Sequence, residues 1–162
     1  MKLFSLLVPV LLLCASAKAD VAAVRREVAR IDARKLAFKS YDNSDLSTEG
    51  ARITIKRDGQ GTPRKIVATI YGESGQKEEK VYLQNGLPLF VFSVETRYNV
   101  PLGSSTKIRV DLQTETRLYF EKGHLIQKRE DENIVPLSAS QKRAIERETK
   151  ATIRAYLTPP KH

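Results

Sequence analysis

Apolar residues recur along this chain with two different periods, and the change of period divides it. Near the start, Val21, Val24, Val28 and Ile31 return every three or four residues, which places them on one face of a helix at about 100° per residue. Arg26, Arg30 and Arg34 occupy the opposite face, so residues 20–39 are predicted as an amphipathic helix. Tyr41 to Gly50 is rich in Asp, Asn, Ser, Thr and Gly and reads as a loop. From Ala51 the period falls to two. Arg52–Arg57, Lys65–Tyr71, Glu79–Leu83, Leu89–Tyr98, Lys107–Phe120 and Leu125–Arg129 read as strands. Asp58-Gly59, Gly72-Glu73-Ser74-Gly75, Asn85-Gly86 and Lys122-Gly123 punctuate them as turn signals. Turns this short join antiparallel neighbours, so 51–130 is expected to form a meander of five or six strands. Leu89-Phe90-Val91-Phe92 is continuously apolar and marks a central strand. Pro88 has no N–H to give to a ladder, which suits an edge or the start of a strand.

A helical period returns over 138–157. Ile145, Thr149, Thr152 and Tyr156 share a face with Ile153 beside it, and Arg143, Arg147, Lys150 and Arg154 line the reverse. Ser138 and Ser140 are candidate N-caps, and Pro159-Pro160 ends the helix. The expected fold is α+β: one antiparallel sheet, with the N-terminal and C-terminal helices packed together on one face and the other face partly solvated.

Residues 1–19 belong to neither pattern. Met1-Lys2 is a short positive start, Leu3 to Cys14 is an apolar run, and Ala17 and Ala19 stand at the spacing signal peptidase reads. The run is too short to span a bilayer, which takes about 20 residues. Residues 1–19 are therefore expected to be a cleaved secretory signal peptide, with 20–162 a single periplasmic or secreted domain that keeps no transmembrane anchor. Leu13 stands where a lipobox has a small residue, which argues against lipidation of Cys14.

Composition sharpens this outline. The 162 residues are 41% hydrophobic and 29% charged, which excludes a disordered polyelectrolyte. The single cysteine falls in the leader, so the exported chain has no disulfide and rests on its core. The formal net charge is +9. Residues 20–39 contribute +3 and 138–162 contribute +4, while 40–137 is neutral. The excess basicity thus belongs to the two helical segments, either as solvated outer faces or as a surface for an anionic partner.

One internal echo stands out. Glu78-Glu79-Lys80-Val81-Tyr82-Leu83-Gln84-Asn85-Gly86 matches Glu115-Thr116-Arg117-Leu118-Tyr119-Phe120-Glu121-Lys122-Gly123 at an offset of 37. In each strand the Glu, the basic residue and the Tyr share one face, and the aliphatic and Leu/Phe positions share the other. With Tyr71-Gly72-Glu73-Ser74-Gly75, Asp45 to Ala51 and Leu87 to Phe92, these segments resemble a family of small secreted bacterial proteins that carry Tyr-Gly-Glu-x-Gly and Tyr-Phe-x-(Asn/Asp)-Gly hairpins. The resemblance covers about the middle half of the chain. It implies export and fold, and supplies no catalytic residue. The chain departs from the family at Leu87-Pro88, where a Lys-Leu pair is commoner.

Candidate chemistry is sparse. His124 and His162 are the only histidines, and Gly72-Glu73-Ser74-Gly75 is not a nucleophile elbow. Neither a triad nor a zinc ligand set can be assembled, and no cofactor motif occurs. His124, after a hairpin glycine, is expected to face solvent. Glu95 and Glu115, each in a Glu-Thr-Arg triplet, are the one carboxylate pair that could serve a hydrolase. Their alternative is cross-strand ion pairing, Glu95 with Arg117 or Arg97 with Glu115. Tyr71, Tyr82, Tyr98 and Tyr119, exposed together, would make a stacking surface; as rim residues they would instead cap the core. The expected function is an exported, non-enzymatic binding protein. Arg143, Arg147, Lys150 and Arg154, with Tyr82, Tyr98 and Tyr119, are its candidate contacts. Its partner would be a macromolecule, an anionic envelope polymer or a secreted protein (an extracytoplasmic hydrolase to inhibit, for example), and not nucleic acid. A carboxylate-based hydrolase and a structural envelope component are the alternatives.

Overall fold

A computed structural model of the protein describes residues 20–160, so the expected signal peptide and His162 lie outside the described residues. Helix α1 (Val21–Asp32) comes first, then strands β1 (Ala37–Asn43), β2 (Ala51–Arg57), β3 (Pro63–Gly72), β4 (Gly75–Gln84), β5 (Leu87–Tyr98), β6 (Val110–Glu121), β7 (His124–Glu130) and β8 (Asn133–Val135), and last helix α2 (Ala139–Leu157). The strands form one antiparallel sheet in the order of the chain, a pure meander.

The α+β class and the meander match the expectation, but the sheet has eight strands rather than five or six. The additional strands are the edges. β1 takes the tail of the expected first helix and the start of the expected loop. Helix α1 ends at Asp32 because its apolar stripe ends: Arg34 and Lys35 follow Ile31 where the stripe would need an apolar side chain. β8 is only three residues long. Helix α2 begins as expected. Ser138 accepts from the Gln141 N–H, and the Gln141 side chain accepts from the Ser138 N–H, forming a capping box. Pro88 lies at the start of β5, in the middle of the sheet.

The two helices do not share a face. Ile153 and Tyr156 of α2 pack on Ile53, Ile66, Val81, Leu83, Val91 and Phe120. Val24 and Ile31 of α1 pack on Tyr82, Leu89 and Tyr119. Val81 and Tyr82 are consecutive in β4, so they point to opposite sides. The sheet is a layer between one helix above and one below, and within the apolar run Leu89-Phe90-Val91-Phe92 the first three are covered, Leu89 and Phe90 on the α1 side and Val91 on the α2 side.

The echoed segments are the first strands of two like hairpins. Asn85-Gly86 and Lys122-Gly123 are two-residue turns with φ of 52° and 75°, and of 50° and 80°, the left-handed values of a type I′ turn. The ladder slips at Tyr82/Leu83 and again at Tyr119/Phe120. The unpaired residues are Leu89 and Ile126, each three places after the turn glycine, and both pack on the α1 side. Glycine is required at Gly75 for another reason: a Cβ there would collide with the Thr96 carbonyl of β5.

Candidate functional site

Registration turns the echo into a surface. β4 and β6 flank β5, so each echoed strand lays the same three side chains beside the same β5 residues. Tyr82 and Tyr119 stand on either side of Phe90, Lys80 and Arg117 on either side of Phe92, and Glu78 and Glu115 on either side of Val94. All belong to the α1 face. The rows are two residues, about 6.6 Å, apart along the strand.

Helix α1 covers the first row. The Phe90 ring lies 5.9 Å from Tyr82 and 4.9 Å from Tyr119, both tilted. The Tyr82 hydroxyl donates to Asp32 at the end of α1 (2.9 Å), and Lys65 reaches the same carboxylate at 2.5 Å. Burial pushes the Tyr82 phenol above its usual pKa. Burial alone would lower the Lys65 ammonium, but its bonds to Asp32 and Tyr82 outweigh that and raise it. Arg25 of α1 donates to the Tyr119 hydroxyl and lies over that ring. At 4% and 2% exposure, Tyr82 and Tyr119 offer no free ring. Tyr98 stands eight residues beyond Phe90 on β5, roughly 26 Å away. The three tyrosines therefore do not form a stacking surface; two are core residues that fasten α1.

The second row is open. From the register, Val67, Lys80, Phe92, Arg117, Arg129 and Ile134 run side by side across β3 to β8. The Lys80 ammonium lies 5.8 Å and the Arg117 guanidinium 5.3 Å from the centre of the Phe92 ring, one from each neighbouring strand. Arg117 also pairs with Glu115 and donates to the Asp131 carbonyl. Arg129 donates to the Glu132 carbonyl, while its Nε–H is buried without a partner among the described residues. Arg25, over Tyr119 in the adjoining row, carries the positive charge up to α1. The row is a cationic strip with an aromatic ring at its centre, held rigid by its ladder.

The other expected residues lie apart from it. Arg143, Arg147, Lys150 and Arg154 are exposed on the outer side of α2, across the sheet. Glu95 faces α2, whereas Glu115 faces the α1 side, so the two carboxylates cannot flank one substrate bond. The proposed cross-strand ion pairs are also absent: Glu95 is opposite Thr114 and Arg97 opposite Leu112. Glu115 pairs within its own strand, and Arg97 with Asp111. His124 is exposed, 3.7 Å from Glu146. Sequence reading missed Phe92 and Arg129. The signal was present in the echo, since Lys80 and Arg117 are its basic positions and Phe92 and Arg129 are themselves 37 residues apart. No helix among the described residues is long and apolar enough to cross a membrane. The chain matches no protein-family model, and with significant similarity it matches neither a curated protein nor a solved structure.

Proposed function

We propose that this is an exported, non-enzymatic binding protein that holds an anionic polymer of the cell envelope against the open row of its α1 face. The observation that carries the reading is the strip Lys80–Phe92–Arg117–Arg129, with its aromatic centre. Repeating charged groups of a polymer would meet the cations, and an apolar segment would cover the Phe92 ring. A folded sheet fixes these groups in advance, so little side-chain ordering opposes binding. Export rests on the leader-like residues 1–19 and on the resemblance to small secreted bacterial proteins.

The test is titration with a carboxylated polysaccharide such as polygalacturonate over a range of salt. Binding should weaken steeply between low and physiological ionic strength, because exposed charges are screened over about 8–10 Å. Lys80→Glu should weaken it at least tenfold at low salt. Salt-independent binding, or none, rejects the reading. Capture of an acidic secreted protein by the same row, in place of the polymer, would reassign the partner.

A further inference from the structure

The opposite face holds a cavity of different character. A cleft of about 220 Å³ opens between α2 and the sheet. In-register rows build it. Val81, Val91 and Leu118 form an aliphatic floor; Glu79, Ser93 and Thr116 form the next row; Lys77 and Glu95 follow. Ile145, Glu148, Thr149, Thr152 and Ile153 of α2 are its roof.

Most charges here are already matched. Glu79, 5% exposed, accepts from the Tyr156 hydroxyl at 3.0 Å and pairs with Lys77 at 2.7 Å. Lys128 pairs with Glu130 at 2.7 Å. Glu95 and Glu148 remain as lining carboxylates with no cation within ion-pair distance among the described residues. The cleft thus reverses the sign of the surrounding protein, a small negative site in a chain of net charge +9.

We infer that the cleft binds a primary alkylammonium group. Its methylenes would lie on Leu118, the half-buried edge of the floor, against Ile145 of the roof. Its ammonium, with three donors and no acceptor, would reach the Glu95 and Glu148 carboxylates and the hydroxyls of Ser93 and Thr116. The floor and the hydroxyl row are about 6.6 Å apart, the reach of a lysine-like four-carbon stem. No aromatic side chain is needed in the cleft, as it would be for a quaternary ammonium. An inorganic cation would leave the half-buried Leu118 and Ile145 uncovered. The same group could arrive on a free amine or on a lysine of another protein. This inference is independent of the polymer-binding reading, because the two sites lie on opposite sides of the sheet.

The test uses the folded 20–162 chain and methyl NMR. Pentylamine and a short peptide with a central lysine are titrated in parallel, with pentanol as the uncharged control. The amine, the peptide or both should shift the Leu118 and Ile145 methyls, and pentanol should not. Glu95→Gln combined with Glu148→Gln should weaken binding at least tenfold while leaving the unliganded spectrum elsewhere unchanged. A response to the amine alone assigns a small-molecule ligand, and a response to the peptide alone assigns a protein side chain. No response to either, an equal response to pentanol, or a response that survives the double substitution overturns the inference.

Discussion

The two faces of this sheet are built from alternate residues of the same strands, yet they carry different work. The α2 face is the larger core, where Phe120, Ile53 and Ile66 are fully buried and the buried Glu79 carboxylate has partners. Tyr41 donates to the Tyr156 carbonyl, Tyr156 donates to Glu79, and Glu146 accepts the Leu125 N–H at 2.8 Å. These bonds join α2 to three separate strands, β1, β4 and β7. The α1 face is covered only along the Tyr82–Phe90–Tyr119 row, and its polar bonds lie at the partly exposed edge of α1. A sheet folded by one face is free to present part of the other. The contrast teaches that stability and recognition can be divided residue by residue along one strand.

The first way to break this comparison is by truncation of the cores. Phe120→Ala should cost about 3–5 kcal/mol, because a large ring is removed from a site that cannot collapse around it. Val24→Ala under α1 removes two methyl-sized groups and should cost about 1.6 kcal/mol. Urea unfolding of both variants measures the difference, and equal losses would deny that the α2 face dominates.

Hydroxyl removal sharpens the same point with a smaller effect. Tyr156→Phe leaves the buried Glu79 carboxylate without one of its donors and should cost about 1–3 kcal/mol. Tyr82→Phe leaves Asp32, whose side chain is 45% exposed, free to bond water, so the cost should be about 0.5–1.5 kcal/mol. Denaturant midpoints rank the pair.

Alkaline pH should act on both faces. Tyr41, Tyr82 and Tyr156 have phenols raised above the ordinary value of 10.0, chiefly by burial, with the Glu79 charge and hydrogen bond adding to the rise at Tyr156. Lys65 is raised above 10.5. A group whose pKa is higher in the folded state stabilises it fully below the unfolded pKa. That contribution disappears as pH rises through the folded value. Stability should therefore be flat toward neutral pH for these groups and fall above about pH 10. Tyr156→Phe should make the fall shallower; an unchanged alkaline limb would remove Tyr156 from the account. The smallest effect belongs to the open row. Lys80→Glu should change unfolding stability by no more than about 0.5 kcal/mol, because Lys80 is exposed.

Much of the fold was legible in the sequence because its signals are local. Asn85-Gly86 and Lys122-Gly123 specify their turns without reference to the rest of the chain, and Ser138 specifies the start of α2. The edge strands were not legible. β1 is exposed at most positions and β8 presents Ile134 to solvent, so neither shows the alternation that burial imposes. The placement of the helices was harder still, since amphipathic helices fit either face. The decisive clue was Leu89-Phe90-Val91, consecutive apolar residues that point to both sides of the sheet and are covered on each. The candidate site was half legible. The echo contained Lys80, Arg117 and the two tyrosines, but only the register shows that both copies converge on β5. Glu95 and Glu115 looked alike in sequence and were separated by one residue's parity.

Ser93 and Val94 are consecutive in β5 and point to opposite faces, so they give the most direct test of the central claim that the α1 face is the recognition surface. The only cysteine, Cys14, lies in the expected signal peptide, so Ser93→Cys or Val94→Cys makes the sole thiol in the chain from residue 20 onward. Maleimide labelling of each variant should be timed with and without polygalacturonate. The account predicts that the polymer slows labelling of the Val94→Cys thiol severalfold and leaves the Ser93→Cys thiol unaffected. Protection of the Ser93→Cys thiol alone, or of both equally, would contradict it.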